Sequence, residues 1–366
     1  MVGIALPALA WDSFRLEAKG TDNLPNSIIP CNPISKFFTN RPASWPNAAV
    51  LLQSSAVHVA VTGGTGFVGK AVVQTLAAQG WKPRLLLRAS PTALHSASQH
   101  PPSSCRGSQG LEVRRVNFSS RDDVASACRG VDAIVHLVGI IAELGSNTFQ
   151  EAHVGLTARM LQAGQDAGIR RYLHMSALGT REAARSQYHR TKWSAETLVR
   201  ASGLDWTIFR PSLIYGTNGG FTAVFEQLSR FSPFLPALGG GRGLLQPIAN
   251  EQVARAFAEA LRTPSAIGQT YDLCGPERLE FRQILEAILA SLGRRRIIVP
   301  IPFALARIQA RFLEFLWPRL LRRAPPLNRD QILMLEEDNI GNGTAADTAF
   351  GLVHPSFRSG LAGRHS

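Results

Sequence analysis

An α/β fold built on a doubly wound parallel sheet is predicted by two observations. The first is a glycine turn set between a strand and a helix. The apolar run Val57-His58-Val59-Ala60-Val61 leads into Thr62-Gly63-Gly64-Thr65-Gly66-Phe67-Val68-Gly69, and an amphipathic helical pattern follows at once from Lys70 to Ala78. The second is regular alternation: short β-type runs and helical patterns follow one another through the first two thirds of the chain, which is the signature of parallel strands joined by crossover helices.

The glycine turn carries its own chemistry. Gly63 permits a tight turn, Gly66 lets the backbone approach a pyrophosphate, and Gly69 lets the helix pack close to the strand. Thr65 and Phe67 complete the candidate cradle. The helix N-terminus offers N–H groups and the positive end of its dipole to phosphate oxygens. The spacing is G-x-x-G-x-x-G, and the flanking strand and helix make a dinucleotide site the natural reading.

Composition narrows the function classes. The 366 residues suffice for one large domain or a domain with a smaller lobe, and the formal net charge is +13. Nearly all of the positive charge is arginine, spread along the chain, with no zinc-finger spacing and no aromatic RNA-binding motif; nucleic acid is therefore not an expected partner. The four cysteines, Cys31, Cys105, Cys128 and Cys274, form no CxxC pair, so neither a metal site nor a disulfide framework is indicated. No uncharged run is long enough to span a bilayer.

Taken in order, residues 1–55 are rich in Pro, Asn and Ser without a steady period, and read as a disordered tail or a targeting segment. Lys82–Arg88 is a second buried strand. An acidic residue at its end would select NAD by the ribose hydroxyl; this chain has Arg88 followed by Ala89-Ser90, which suits a 2′-phosphate, so NADP(H) is preferred over NAD(H). Pro91 to Gly110 is a loop. Leu111–Val116 is a third strand, and Ser119-Ser120 cap a helix with Asp122 and Asp123 in its first turn. Val131–Gly139 is a fourth strand whose end, Val138-Gly139, faces the cofactor. Phe149–Ala167 reads as one helix and Arg171–Ser176 as a fifth strand.

Ser176 at that strand's end, with Tyr188 and Lys192 at i and i+4 on the helix Tyr188–Ala201, forms a candidate catalytic constellation. A phenol titrating near ~10 is a poor acid–base at neutral pH, and a nearby ammonium is expected to lower that value. The lysine can also hold the cofactor ribose, and the serine hydroxyl can fix a carbonyl oxygen while hydride passes to the neighbouring carbon.

These residues resemble an extended or atypical short-chain dehydrogenase/reductase. More closely, the chain is similar to the family of the NAD(P)H-binding accessory subunit of respiratory complex I and its bacterial relatives. TGGTGFVGK, VDAIVHLVGIIAE, FQEAHVGLTARML, HMSALG, YHRTKWSAE, FRPSLIYG, LGGGRGLLQPI and GRRRIIVPIPFALARIQARFLEF carry the resemblance over roughly Ala56 to Asn339. It implies a Rossmann domain over 56–216, a substrate or partner lobe with additional Rossmann elements over 217–340, and a C-terminal tail over 341–366. It implies that Gly63, Gly66 and Gly69 bind pyrophosphate and Arg88 the 2′-phosphate. It puts Ser176, Tyr188 and Lys192 on the reductase triad and His153 where many members carry an asparagine of the active-site network. Pro211 and Ser212 fall on the loop that covers the nicotinamide. Leu156, where members usually have glycine, and Asn117, where an acidic residue often follows the third strand, depart from the pattern.

In the last third, Asp205–Arg210, Leu244–Ile248 and Gln269–Leu273 read as strands, and Glu251–Leu261 and Phe281–Leu292 as helices. Arg242, in the glycine turn before Leu244, is either a contact for an anionic group or a turn arginine in water. Phe303–Trp317 is a basic amphipathic helix, stopped by Pro318 and followed by Arg319, Arg322 and Arg323. Segment 303–323 could lie on an anionic membrane, or bury its apolar face in the lobe. Three functions follow: a reductase of a quinone-related or isoprenoid carbonyl, an NADPH-holding structural partner of complex I or a quinone-biosynthesis assembly, and a nucleotide-sugar epimerase or dehydratase. Both of the first two imply a place at the inner membrane, on the cytoplasmic side in a bacterium or the matrix side in a mitochondrion.

Overall fold

Strand β1 (His58–Thr62) lies at the middle of a seven-stranded sheet whose order is β11-β6-β5-β4-β1-β2-β3. This computed structural model describes residues 57–89, 111–216, 219–321, 325 and 327–362. The tail or targeting segment at 1–55, Ser90, the loop 91–110 and Arg322 and Arg323 lie outside the described residues. The remaining strands of this sheet are β2 (Lys82–Arg88), β3 (Glu112–Val116), β4 (Ala133–His136), β5 (Arg171–Met175), β6 (Asp205–Pro211) and β11 (Gln269–Leu273). All six pairings are parallel. The order reverses between β1 and β4, and at such a switch point the loops part to leave a crevice beyond the strand ends.

Each face of the sheet is covered by helices, as buried parallel strands require. On one face lie α1 (Phe67–Ala78) and a later helix, Asn250–Ala260, which share a core with β1 through Val72, Val73, Leu76, Val253 and Phe257. On the other lie α2 (Arg121–Ala127), α3 (Leu156–Asp166) and α4 (Gln187–Ala201), packed through Val124, Met160, Leu161 and Val199. The serine before α2 behaves as its sequence suggests: the Ser120 side chain accepts from the Asp123 N–H at 3.3 Å, a cap worth about 1 kcal/mol.

The segment expected to be one helix over Phe149–Ala167 divides. Gln150–Gly155 is π-helical, and only from Leu156 does the chain turn as an α-helix. The wider turn brings His153 into the interior, where it is 1% exposed. Leu156, flagged as unusual, is buried in the core between sheet and helices.

Beyond β6 the chain builds a lobe from β7 (Ile214–Gly216), α5 (Gly220–Phe231), β8 (Phe234–Leu238), β9 (Leu244–Leu245) and β10 (Ile248–Ala249). The helix Asn250–Ala260 is α6. After β11 come β12 (Leu279–Glu280), α7 (Phe281–Ser291), β13 (Ile297–Ile301), α8 (Phe303–Leu321), α9 (Arg329–Leu335), α10 (Thr344–Phe350) and α11 (Phe357–Ala362). The single strand expected over Leu244–Ile248 is two short strands pairing with different partners, β9 with β12 and β10 with β7.

Two expectations are corrected. Pro318 does not stop its helix, which continues to Leu321; a proline removes one hydrogen bond to the preceding turn, and near a helix end this does not unwind what remains. The segment 341–366 is not a free tail over its described length. Phe350 and Leu352 complete the core beside β11, and Phe357 and Leu361 are buried in the lobe core with Tyr215 and Phe281.

Candidate functional site

The glycine turn follows β1 directly, at the switch point. Gly63 adopts φ +75°, and a side chain there would press on the backbone of Leu137 and Val138 at 3.1–3.2 Å. Gly69 is tighter: an added Cβ would lie 2.0 Å from the Gly63 carbonyl oxygen, so α1 meets the turn only because this residue has no side chain. Gly66 is the N-cap of α1 and supplies no side-chain acceptor to the first turn. A helix start with bare N–H groups and backbone on both sides fits a pyrophosphate, both by hydrogen bonding and by dipole. Thr65 is exposed in the same turn. Phe67 does different work: its ring occupies the space beside Gly216, Gly219 and Gly220, within 2.4–3.1 Å of where their Cβ atoms would be. Its carbonyl accepts from Asn250 Nδ2 at 3.2 Å, tying the turn to α6.

Lys192 anchors the opposite wall. Buried at 1% exposure, its Nζ donates to the Met175 carbonyl at 3.0 Å and the Val138 carbonyl at 3.4 Å, bridging the ends of β4 and β5. Gly139 leaves room for it, since a Cβ there would stand 3.0 Å from Nζ and 3.7 Å from His153 Nε2. Burial pushes the Lys192 ammonium down to about 8, with Glu196 opposing.

Tyr188 opens α4 one turn earlier. Its ring meets His153 edge-on at 5.3 Å and Phe149 at 6.1 Å. The expectation that the lysine lowers its ionisation is not met. Burial, and then the Asp330 carboxylate, push the phenol up to about 12. The physical reason is that the ammonium is directed at two strand-end carbonyls, while the phenol is surrounded by rings.

Ser176 follows Met175, the residue whose carbonyl holds Lys192. It is buried, its N–H donates to the Phe209 carbonyl at 2.7 Å and its hydroxyl donates to Thr180 Oγ1 at 3.4 Å. Leu178 N–H reaches the Pro211 carbonyl at 2.9 Å, so the β5 and β6 loops run side by side. Ser212 has its hydroxyl on the Gln246 carbonyl and its N–H on Leu273, which joins the lobe to the sheet edge. Arg88 stands exposed at the end of β2, on the far side of the glycine turn from Lys192, and Arg242 is exposed in its turn.

Several residues of the site were not singled out from sequence. Thr62, His136 and His174 occupy one register row across β1, β4 and β5. His136 Nδ1 pairs with Thr62 Oγ1 at 2.7 Å, its Nε2 with Thr157 Oγ1 at 3.2 Å, and its ring stacks on His174 at 5.6 Å. Thr157 in turn donates to the His153 carbonyl at 2.5 Å. His153 pairs through Nδ1 with Thr191 Oγ1 at 2.8 Å, and its Nε2 accepts from the Ile140 N–H at 3.1 Å. A polar chain thus runs under the crevice from the glycine turn to the tyrosine helix. Burial, and then the charge of Lys192, hold His136 down to about 3 and His153 to about 2, so both are neutral. Among the described residues no group of histidines, cysteines and carboxylates is arranged to hold a metal ion.

Comparison with known proteins agrees with this geometry. A family model described as NAD(P)H-binding matches residues 63–264, more than half of the chain. The NADH dehydrogenase [ubiquinone] 1 alpha subcomplex subunit 9 of Arabidopsis thaliana is 28% identical over 290 residues, covering 78% of this chain and 69% of that protein. The ceramide reductase of Caulobacter vibrioides is 32% identical over 208 residues, covering 56% of this chain and 61% of that one. The matches therefore span about two thirds of these relatives' own lengths. Among solved structures, a dTDP-glucose 4,6-dehydratase from Streptomyces venezuelae with NAD bound superposes with a TM-score of 0.61 at 21% identity, over 84% of this chain and 95% of that one, a likeness of fold. The turn, the switch point and these matches together establish that the chain belongs to the NAD(P)H-binding family, with the fold of the extended short-chain dehydrogenases/reductases.

Proposed function

We propose that the protein is an NADPH-preferring reductase acting on a carbonyl of a large apolar molecule of the quinone or isoprenoid kind. The observation that carries this is the cluster at the crevice: Lys192 bonded to the carbonyl of Met175, Ser176 next in sequence, and Tyr188 one helical turn before the lysine. The bound dinucleotide supplies the hydride. Gly63, Gly66 and Gly69 receive its pyrophosphate, and Val138, Gly139, Pro211 and Ser212 border the nicotinamide end. Ser176 holds the substrate oxygen by its hydroxyl. Tyr188 gives that oxygen its proton, and Lys192, one helical turn on, would hold the cofactor ribose. His153 fixes Thr191 and the Ile140 backbone, and so the walls around the phenol. Relatives named as a ceramide reductase and a farnesyl-dihydroquinoline-oxide ketoreductase support a large apolar substrate.

The preference for NADPH rests on Arg88, whose guanidinium at the end of β2 can pair with a 2′-phosphate. Nucleotide released from the purified protein and identified by mass spectrometry tests it; recovery of NADH instead would overturn it. For the reaction, NADPH oxidation is followed with ceramide, quinone and isoprenoid ketones. Tyr188→Phe is expected to lower the rate at least ~100-fold with cofactor affinity unchanged.

A second reading is favoured by the surface of α8 and by relatives that are complex I subunits. In it the protein holds NADPH as a structural ligand and sits beside complex I or a quinone-biosynthesis assembly at the inner membrane. Full cellular complementation by Tyr188→Phe, with Gly66→Asp inactive, would decide for this reading. A nucleotide-sugar epimerase shares the fold, and no residue of this site selects that substrate.

A further inference from the structure

Helix α4 carries both Tyr188 and Lys192, and its start is held from a distant part of the chain. The N–H groups of Gln187 and Tyr188 donate to the two oxygens of Asp330, at 2.7 and 2.9 Å, across 143 and 142 residues of sequence. Ser186 caps the next N–H, that of His189, at 3.2 Å. The first turn of α4 is thus satisfied partly by its own serine and partly by a carboxylate from α9.

That carboxylate is itself fixed. Asn328 starts α9 with a reciprocal cap to Gln331, and its Nδ2 donates to the Ile141 carbonyl at 3.1 Å, beside the Ile140 backbone that meets His153. Arg329 pairs with Glu314 of α8 at 2.6 Å. Glu336 takes Arg185 at 3.0 Å and also Arg307 of α8, and Glu337 takes Arg181 at 2.8 Å. The segment 328–337 is a strap laid over the loops beyond β4 and β5, with α8 tied to its outer side.

We propose that Asp330 is a positioning residue for the reaction of Tyr188: it accepts the first N–H groups of α4, fixes where the tyrosine and lysine stand, and keeps a negative charge at the tyrosine's own backbone N–H. This rests on the reading of Tyr188 as proton donor. The other groups around the phenol leave that charge prominent. His153, from the π-helical stretch, is neutral. His189, on α4 itself, is shifted down by burial first, and the Lys192 amine is turned to the carbonyls of Val138 and Met175. The charge of Asp330 adds to burial in raising the phenol. A negative charge beside the phenol disfavours its ionised form.

The test uses the full chain and two substitutions. Asp330→Asn keeps an acceptor and removes the charge; Asp330→Ala removes both. Amide hydrogen exchange at Gln187 and Tyr188 is expected to rise roughly tenfold in the alanine variant and less in the asparagine variant. The ionisation of Tyr188 is read without any substrate, as tyrosinate absorbance after a rapid pH jump, taken as the difference from the matching Tyr188→Phe protein; the chain has only 4 tyrosines. Its midpoint is expected to move to lower pH in Asp330→Asn. An unchanged midpoint together with unchanged exchange overturns the proposal. Faster exchange with an unmoved midpoint also overturns it, because it leaves Asp330 as a cap alone. A shifted midpoint in a protein whose Tyr188→Phe variant reduces ketones normally would leave the strap standing and remove the reductase reading instead.

Discussion

The amine of Lys192 is charged at neutral pH yet held where water does not reach, and this sets its effect on stability. Its value falls from 10.5 in the unfolded chain to about 8 in the fold. Below about 8 both states carry the charge and folding bears the full cost of burying it; the cost fades between 8 and 10.5 and is absent above. Lys192→Met should therefore raise stability at pH 7 by about 1–3 kcal/mol while abolishing reduction. Urea unfolding at pH 7 and pH 10 checks both sign and window, and a variant less stable at pH 7 would show that the carbonyl bonds outweigh the burial. The histidines act on the acid side. His136 and His153 titrate near 6.5 unfolded and at about 3 and 2 folded. As pH drops below about 6.5 the unfolded chain binds protons that the fold refuses, so stability declines progressively towards pH 3. His136→Gln should flatten the fall in melting temperature between pH 7 and pH 4; an identical slope would assign the acid response elsewhere. Sequence spacing made Ser176, Tyr188 and Lys192 legible because the i, i+4 rule puts two of them on one face. It left His136 and His174 unseen, because a lone histidine in an apolar strand reads as core until the register sets it beside Thr62.

At the scale of elements, the strands and helices around β1 could be read because buried parallel strands are short apolar runs punctuated by glycine and serine. What could not be read depended on partners far away in sequence. The π-helical turn at Gln150–Gly155 has no local signal, and His153 within it bonds to Ile140 and Thr191, both outside the turn. The helices after Gly343 looked like a tail because each is short, and only the sheet edge and the lobe reveal what Phe350 and Phe357 cover. Asp330 could not be found at all, since the helix it caps begins 143 residues earlier. The packing of α1 against β1 depends on the glycine turn, and the proposed cofactor site depends on it too. Gly69→Ala would put a methyl 2.0 Å from a backbone oxygen that has no rotamer with which to retreat. A loss of roughly 2–3 kcal/mol is expected, with NADPH binding weakened at least tenfold in a fluorescence titration. Reduced stability with wild-type affinity would mean that this turn is not the pyrophosphate cradle.

Over the whole molecule, the formal net charge is +13, and one face of α8 carries exposed apolar side chains. Among the described residues no helix is long and apolar enough to cross a membrane. Yet Leu305, Ile308, Phe312 and Phe315, at i, i+3, i+7 and i+10 of α8, are 54–69% exposed, so these four are not buried in the lobe. Among the described residues of α8, Ala306 and Ala310 are buried, against Ile332 and Leu327. A stripe of exposed apolar side chains on a strongly basic protein suits an anionic bilayer, where rings enter the headgroup boundary and arginines meet phosphates. The chain should float with phosphatidylglycerol-containing vesicles and not with neutral ones, and lose that association as salt screens the charge. Ile308→Ser with Phe312→Ser should abolish flotation while leaving NADPH affinity intact, because neither residue borders the crevice. Loss of self-association in the double variant, with flotation unchanged, would assign the stripe to a second copy of the chain. Because Arg307 and Glu314 of this helix also hold the strap that carries Asp330, vesicles should slow amide exchange at Gln187 in the wild type and leave it unchanged in the double variant, which ties the surface to the tyrosine in one measurement.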